Sequence, residues 1–125
     1  MVVLDTCAII ELCKEKPSIS TRVYHLIEKG VYILSISFAE IACKVRLGKL
    51  EMGLEVRELH REFLHAENIT IVDIGIEEWF SSIELDWPEN KDPVDRIITA
   101  YAMKKEFPIV SSDAKMKKFY NKVIW

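Results

Sequence analysis

Short apolar runs alternate along this chain with longer segments whose apolar residues recur every three or four positions. Val2 to Leu4 is a run of three apolar residues ending at Asp5, the pattern of a strand buried on both faces. A helix is expected from Thr6, stopping before Pro17, because proline cannot continue it. Ser18 to Lys29 has helical spacing, with Gly30 placed to close it. Tyr32 to Ile36 (YILSI) reads as the next strand, and Ser37 begins a helix running toward Gly48. An amphipathic helix from about Leu54 to Ala66 follows, then a strand through Ile69, Ile71 and Val72. Ile76 to Leu85 is expected to be helical, and WPENK a loop. A helix opened by Asp92 and Pro93 ends near Phe107. Pro108 to Ser111 (PIVS) make a strand, a short basic helix comes next, and Val123 to Trp125 close the chain as a last strand.

Strands alternating with helices predict an α/β fold of three layers, a mainly parallel central sheet with helices on both faces. No repeat, low-complexity tract or linker rich in Pro, Gly or Ser divides the chain, so residues 1–125 are expected to form a single domain.

Composition adds a few limits. Half of the 125 residues are hydrophobic, enough for one core. No apolar run approaches the roughly 20 residues that cross a membrane. The first residues, MVVLDTCAII, reach an acid at Asp5 and carry no basic leader, so no secretory signal is expected and a cytoplasmic location is the default. Cys7, Cys13 and Cys43 lack C-x-x-C spacing, which points to reduced, buried thiols rather than disulfides or zinc, with Cys7 read as a small buried hydrophobe. The net charge of −3 is mildly awkward for a phosphate-binding protein. Basic residues nevertheless cluster at Lys44, Arg46 and Lys49, and at Lys115, Lys117, Lys118 and Lys122. Either cluster also reads plainly as a solvated helix face.

Open parallel sheets bind ligands beyond the carboxyl ends of their strands, and that rule sorts the acids. Asp5 ends the first strand, Glu40 lies in the opening turn after the second, and Asp113 stands two residues beyond PIVS. Asp95 opens the helix that feeds this last strand. It lies one turn below Ile98 and two below Ala102, which leans its side chain toward the buried side. Each acid has a plain reading as a helix cap. Asp5 or Thr6 would cap the first helix, Ser37 and Glu40 match a capping box, Asp92 precedes Pro93, Asp95 is a first-turn charge, and Asp113 precedes AKMKKF.

Four carboxylates at one sheet edge repel one another and stay ionised only beside a cation. Oxygen ligands without His or Cys suit Mg²⁺ or Mn²⁺, and His25, His60 and His65 all fall on helices away from the acids. Such a site suits phosphodiester hydrolysis by metal-activated water. Asp73 stays outside the set, as a cap or loop residue.

The segments VVLDT, SFAEI, KDPVDRIITAYA and IVSSD, in that order, resemble the PIN-domain nucleases, and among them the VapC-type toxins of toxin–antitoxin pairs. SFAE alone matches any capping box; the D-P-V-D-R-I-I-x-A run is far more specific. The resemblance implies that Asp5, Glu40, Asp95 and Asp113 form the family's acidic quartet, binding one or two Mg²⁺ or Mn²⁺ ions. It implies supporting roles for Thr6, Asp92, Ser111 and Arg96, the last pairing with a carboxylate or touching substrate phosphate. Lys91 lies where relatives often carry His, and Cys7 replaces a common Ser. The resemblance further implies an endoribonuclease toxin acting on RNA, a homodimer, and a small antitoxin that inserts a segment, often with an Arg, into the acidic site. An RNA-processing nuclease without a toxin role and a non-cleaving RNA-binding module are the alternatives. A dehalogenase-type phosphotransferase needs D-x-D, and position 7 is Cys; a receiver-like domain needs an early acid pair and a late Lys.

Overall fold

The computed structural model describes residues 1–125. Five strands, β1 (Val2–Leu4), β2 (Val31–Leu34), β3 (Ile69–Val72), β4 (Ile109–Val110) and β5 (Val123–Ile124), form one sheet in the order β3-β2-β1-β4-β5. Every neighbouring pair is parallel. Helices α1 (Thr6–Leu12) and α2 (Thr21–Lys29) connect β1 to β2, and α3 (Ile36–Arg46) and α4 (Val56–His65) connect β2 to β3. Helices α5 (Ile76–Glu84) and α6 (Pro93–Lys105) return the chain to β4, and α7 (Ala114–Phe119) leads to β5. The chain thus builds outward from β1 in one direction, then resumes on its other side at β4. The strand order reverses between those two strands, where an open sheet forms its ligand crevice.

Side-chain alternation divides the core in two. Val2 and Leu4 pack with Ala8, Ile9, Val23, Ile27 and Leu59 from α1, α2 and α4 on one face. Val3 packs on the other face with Ile97, Ile98 and Ala102 of α6 and Met116 of α7. The result is the expected three-layer α/β/α arrangement. Burial of each Val, Leu or Ile side chain contributes about 1.5–3 kcal/mol, and the residues flanking the crevice, Leu4 and Val110, are both fully buried. No helix is long and apolar enough to cross a membrane.

Boundaries move by a few residues. Strand β2 ends at Leu34 rather than Ile36, because Ser35 turns to helical angles and Ile36 joins α3 against the α6 side of the core. Helix α1 ends at Leu12, and α2 starts at Thr21 after its cap Ser20, whose hydroxyl accepts from Val23 N–H. Strand β4 covers only Ile109 and Val110, although Ser111 N–H still reaches Ile124 O at 3.0 Å.

Candidate active site

Parallel pairing sets Leu4 beside Val110, and Asp5 N–H continues the ladder to Val110 O at 3.1 Å. The two residues that follow these strand ends, Asp5 and Ser111, are therefore neighbours by register. Asp5 is only 4 % exposed, and its carboxylate is held on both oxygens. Oδ1 accepts from Thr6 N–H at 2.8 Å, which caps α1. Oδ2 accepts from Ser111 Oγ at 2.7 Å and lies 3.3 Å from Cys7 Sγ. Ser111 Oγ in turn accepts from Asp113 N–H at 3.1 Å, so one hydroxyl connects the first and last acids. Thr6 Oγ1 donates to Ser37 Oγ at 3.0 Å and ties α1 to α3.

The other acids arrive on helix starts. Asp92 Oδ1 caps α6 by accepting from Val94 N–H at 2.9 Å and Asp95 N–H at 3.4 Å. Asp113 Oδ1 caps α7, accepting from Lys115 N–H at 2.8 Å and Met116 N–H at 3.3 Å. Glu40 sits on α3, one turn before Lys44, whose Nζ lies 3.9 Å from its Oε1. Asp5, Glu40, Asp92, Asp95 and Asp113 all line one cavity of about 320 Å³. Lys44 is the only cation in its walls. For Asp5, Asp92 and Asp113, capping and facing the cavity are compatible: a carboxylate has two oxygens, and the cap occupies one of them.

Crowding of like charge in a half-dry space alters the acids. Burial raises the Asp5 carboxyl above its usual range, opposed by its bonds from Ser111, Cys7 and Thr6. Burial also pushes Asp95 up to about 7, helped by the charges of Asp5, Asp92 and Asp113 and opposed by a hydrogen bond from Asn90. Every side-chain oxygen offered here is a hard donor, which fits a divalent cation of the Mg²⁺ or Mn²⁺ kind. The carboxylates share the walls of the cavity rather than a single point: no three acidic, His or Cys groups stand close enough together to hold an ion as they are.

Three expectations from the sequence change. Ser37 does not form a capping box with Glu40, because the cap position is Ser35 and Ser37 lies buried within α3. Arg96 pairs with no carboxylate and reaches toward no open phosphate site. Its guanidinium donates to the backbone carbonyls of Ser82, Ile83, Leu85, Trp87 and Asn90, clasping the end of α5 and the loop after it. The thiols are less buried than expected: Cys43 is exposed, Cys13 is half-buried, and Cys7 is half-buried and hydrogen-bonded to Asp5 rather than packed as a hydrophobe, its thiol raised by burial together with the Asp5 charge. Asp73 is exposed and outside the cavity; the three histidines also lie outside it, His25 and His65 exposed and His60 half-buried against Phe38.

One residue went unseen in the sequence. Asn90 is 5 % exposed, and its Nδ2 donates to Asp95 Oδ2 at 3.0 Å. The signal available was weak: an Asn in a P-E-N-K-D turn two residues before a helix cap, where Asn side chains often bond the backbone two residues on.

The PIN domain family model matches residues 2–122. Comparison with curated protein sequences gives no match. Among solved structures, a toxin–antitoxin complex from Klebsiella pneumoniae contains a similar chain, with 16 % identity, a TM-score of 0.67, and coverage of 100 % of this chain and 97 % of that one. A structure of FitAB bound to an IR36 DNA fragment gives 18 % identity, a TM-score of 0.66, and coverage of 100 % and 94 %. The FitAcB crystal structure from Neisseria gonorrhoeae gives 20 % identity, a TM-score of 0.60, and coverage of 100 % and 96 %. At these identities the likeness is one of fold.

Proposed function

The chain belongs to the PIN domain family, and on that premise we propose that it is a metal-dependent endoribonuclease, the toxin of a toxin–antitoxin pair. The observation that carries the reading is the shared cavity, in which five carboxylates from four separate segments face a single lysine. Asp5, Glu40, Asp95 and Asp113 would hold Mg²⁺ or Mn²⁺, drawn inward from the cavity walls. When bound, such an ion supplies a hydroxide at neutral pH and neutralises charge on the phosphate.

The chain's own residues do the rest. Asp5 is held by Ser111 and Thr6 so that its carboxylate keeps one orientation. Asp113 and Asp92 have one oxygen fixed by a helix start and the other without a hydrogen-bond partner. Lys44 at the rim offers a positive charge to an incoming phosphate. No histidine is at hand to act as a general base, so the acids must position the nucleophile rather than deprotonate it alone.

RNA as the substrate and an antitoxin as the partner rest on the resemblance of VLDT, SFAE, DPVDRII and IVSSD to VapC-type toxins. The similar chains in toxin–antitoxin complexes support the partner. An acidic cavity also suits a partner's guanidinium, which would compete with the cation. A homodimer is part of the same reading, and Ile76, Phe80 and Ile83 on α5, each more than half exposed, give it an apolar surface. The cytoplasm is the compartment proposed, where reduced thiols and RNA coexist.

The test is cleavage of single-stranded RNA by the purified protein with Mn²⁺ or Mg²⁺. EDTA should stop it, and D5N and D95N should abolish it while leaving the circular dichroism spectrum unchanged. Full activity in both variants would sink the assignment. Growth arrest on expression, relieved by the product of a neighbouring short gene, separates a toxin from an RNA-processing nuclease, and binding without cleavage would indicate a non-cutting RNA module.

A further inference from the structure

We propose that Asn90 is a positioning residue for Asp95, fixed in place by the Arg96 clasp, so that one Asp95 oxygen is held back and the other is presented to the cavity. This rests on the nuclease reading above.

The geometry constrains Asn90 at three points. Its Oδ1 accepts from Asp92 N–H at 2.8 Å, its Nδ2 donates to Asp95 Oδ2 at 3.0 Å, and its backbone carbonyl accepts from Arg96 at 2.9 Å. The amide orientation follows from chemistry. A backbone N–H can only donate, so the oxygen of the Asn90 side chain must face Asp92. The NH₂ group is then left facing a carboxylate, which can only accept. The flipped amide would satisfy neither neighbour, and the side chain is nearly sealed from water. Asp95 Oδ1 has no hydrogen-bond partner, while Asp95 lines the cavity.

The backbone of Asn90 is equally fixed. It lies in a loop without regular structure, between Leu85 and Asp92, that Trp87 anchors by stacking on Phe119. Arg96, one residue beyond Asp95 on α6, reaches five carbonyls of that loop and the end of α5. A planar guanidinium suits this, since its donors are set in a rigid fork. The helix that carries Asp95 therefore also holds the residue that orients it. Outer partners of this kind commonly set ligand orientation, and their loss typically costs about 10–100-fold in metal affinity or activity.

Two variants separate positioning from simple loop support. N90S keeps an uncharged oxygen that accepts from Asp92 N–H, as Ser does in turns of this kind, but has no second arm to donate to Asp95. N90A removes both. Mn²⁺ binding to the RNA-free protein, followed by electron paramagnetic resonance at pH 8, is measured beside RNA cleavage and thermal melting. The expected result is Mn²⁺ binding weakened about tenfold or more in both variants. The Mn²⁺ concentration for half-maximal cleavage should rise in parallel, while the KM for RNA stays within about twofold and N90S melts above N90A. Mn²⁺ binding by N90S that is unchanged or tighter than wild type would overturn the proposal and leave the nuclease reading standing. A wild-type protein that neither binds Mn²⁺ nor cuts RNA would overturn both.

Discussion

Ser111 Oγ lies 2.7 Å from Asp5 Oδ2 and donates to it, across 106 residues of chain and one strand-to-strand step. The same hydroxyl accepts from Asp113 N–H, so it orders the acids at the ends of β1 and β4 together. Removing it leaves a buried carboxylate oxygen with only the weak donor of Cys7. S111A is expected to lose about 1.5–3 kcal/mol of stability, the range for hydrogen bonds to charged groups. On the proposed nuclease reading, cleavage should fall about 10–100-fold, the typical loss when an outer partner of a metal ligand is removed. Urea unfolding and single-turnover cleavage measure the two losses. S111T restores a hydroxyl and should recover most of both.

The raised carboxyls make stability depend on pH in an unusual direction. Asp95 has its proton affinity pushed up to about 7 from an ordinary 3.8. Between those values the folded chain keeps a proton that the unfolded chain releases. Stability must therefore fall as pH rises from about 4 to about 7 and level off above. Asp5 is shifted in the same direction. Glu11, lowered to about 2 by its bonds to Lys14 and Ser18, acts in the opposite sense, its contribution being lost as pH falls from about 4.5 through about 2, so the comparison is made between pH 5 and pH 8. In EDTA, the urea midpoint should be higher at pH 5 than at pH 8, and D95N should flatten the difference. Mg²⁺ should raise the midpoint more at pH 8, where the acids are ionised. A flat wild-type profile from pH 5 to pH 8 would contradict the arrangement.

Periodicity and punctuation made most of the fold legible. The VVL run, the YIL run and the helix starts at Thr6 and Pro93 carry their own local signals, and alternation of strand with helix implies the parallel sheet. The positions of Asp5 and Asp113 were legible for the same reason, since Asp5 directly follows an apolar run and Asp113 stands two residues beyond PIVS. Ser37 misled because local capping patterns ignore what tertiary packing requires: its hydroxyl is used by Thr6, from a different helix. Arg96 misled because charge suggests a charged partner, whereas a guanidinium satisfies carbonyls equally well when a loop has several to offer. Asn90 was invisible because its partner Asp95 is defined by loop geometry, and no periodic pattern reports loop geometry.

The Arg96 clasp predicts a stability loss that charge alone cannot restore. R96K retains the positive charge, but an ammonium cannot span five carbonyls arranged around a planar fork. Both R96K and R96A should lose about 2–4 kcal/mol, with R96K only slightly the better of the two. Chemical denaturation at pH 7 gives the comparison. If Arg96 instead served the substrate phosphate, R96K would keep wild-type stability and lose only RNA affinity.

Lys44 is placed where it should affect the cation and the nucleic acid in opposite senses. It is the one positive charge lining a cavity with five carboxylates, and it lies 3.9 Å from Glu40. A like charge beside an ion site weakens divalent binding, so K44Q should bind Mn²⁺ more tightly than wild type. The same lysine is the nearest cavity charge that attracts phosphate. K44Q should bind RNA more weakly, and the slope of log K against log salt should shrink by about one. Fluorescence anisotropy of a labelled RNA, measured over a salt series in the cleavage-dead D5N background, isolates this second effect. Since the Lys44 side chain is about half exposed, thermal stability should change little. Opposed shifts in Mn²⁺ and RNA affinity from a single substitution, with melting unchanged, are what a phosphate-attracting rim on an acidic ion site requires; loss of both affinities together would place Lys44 in support of Glu40 instead.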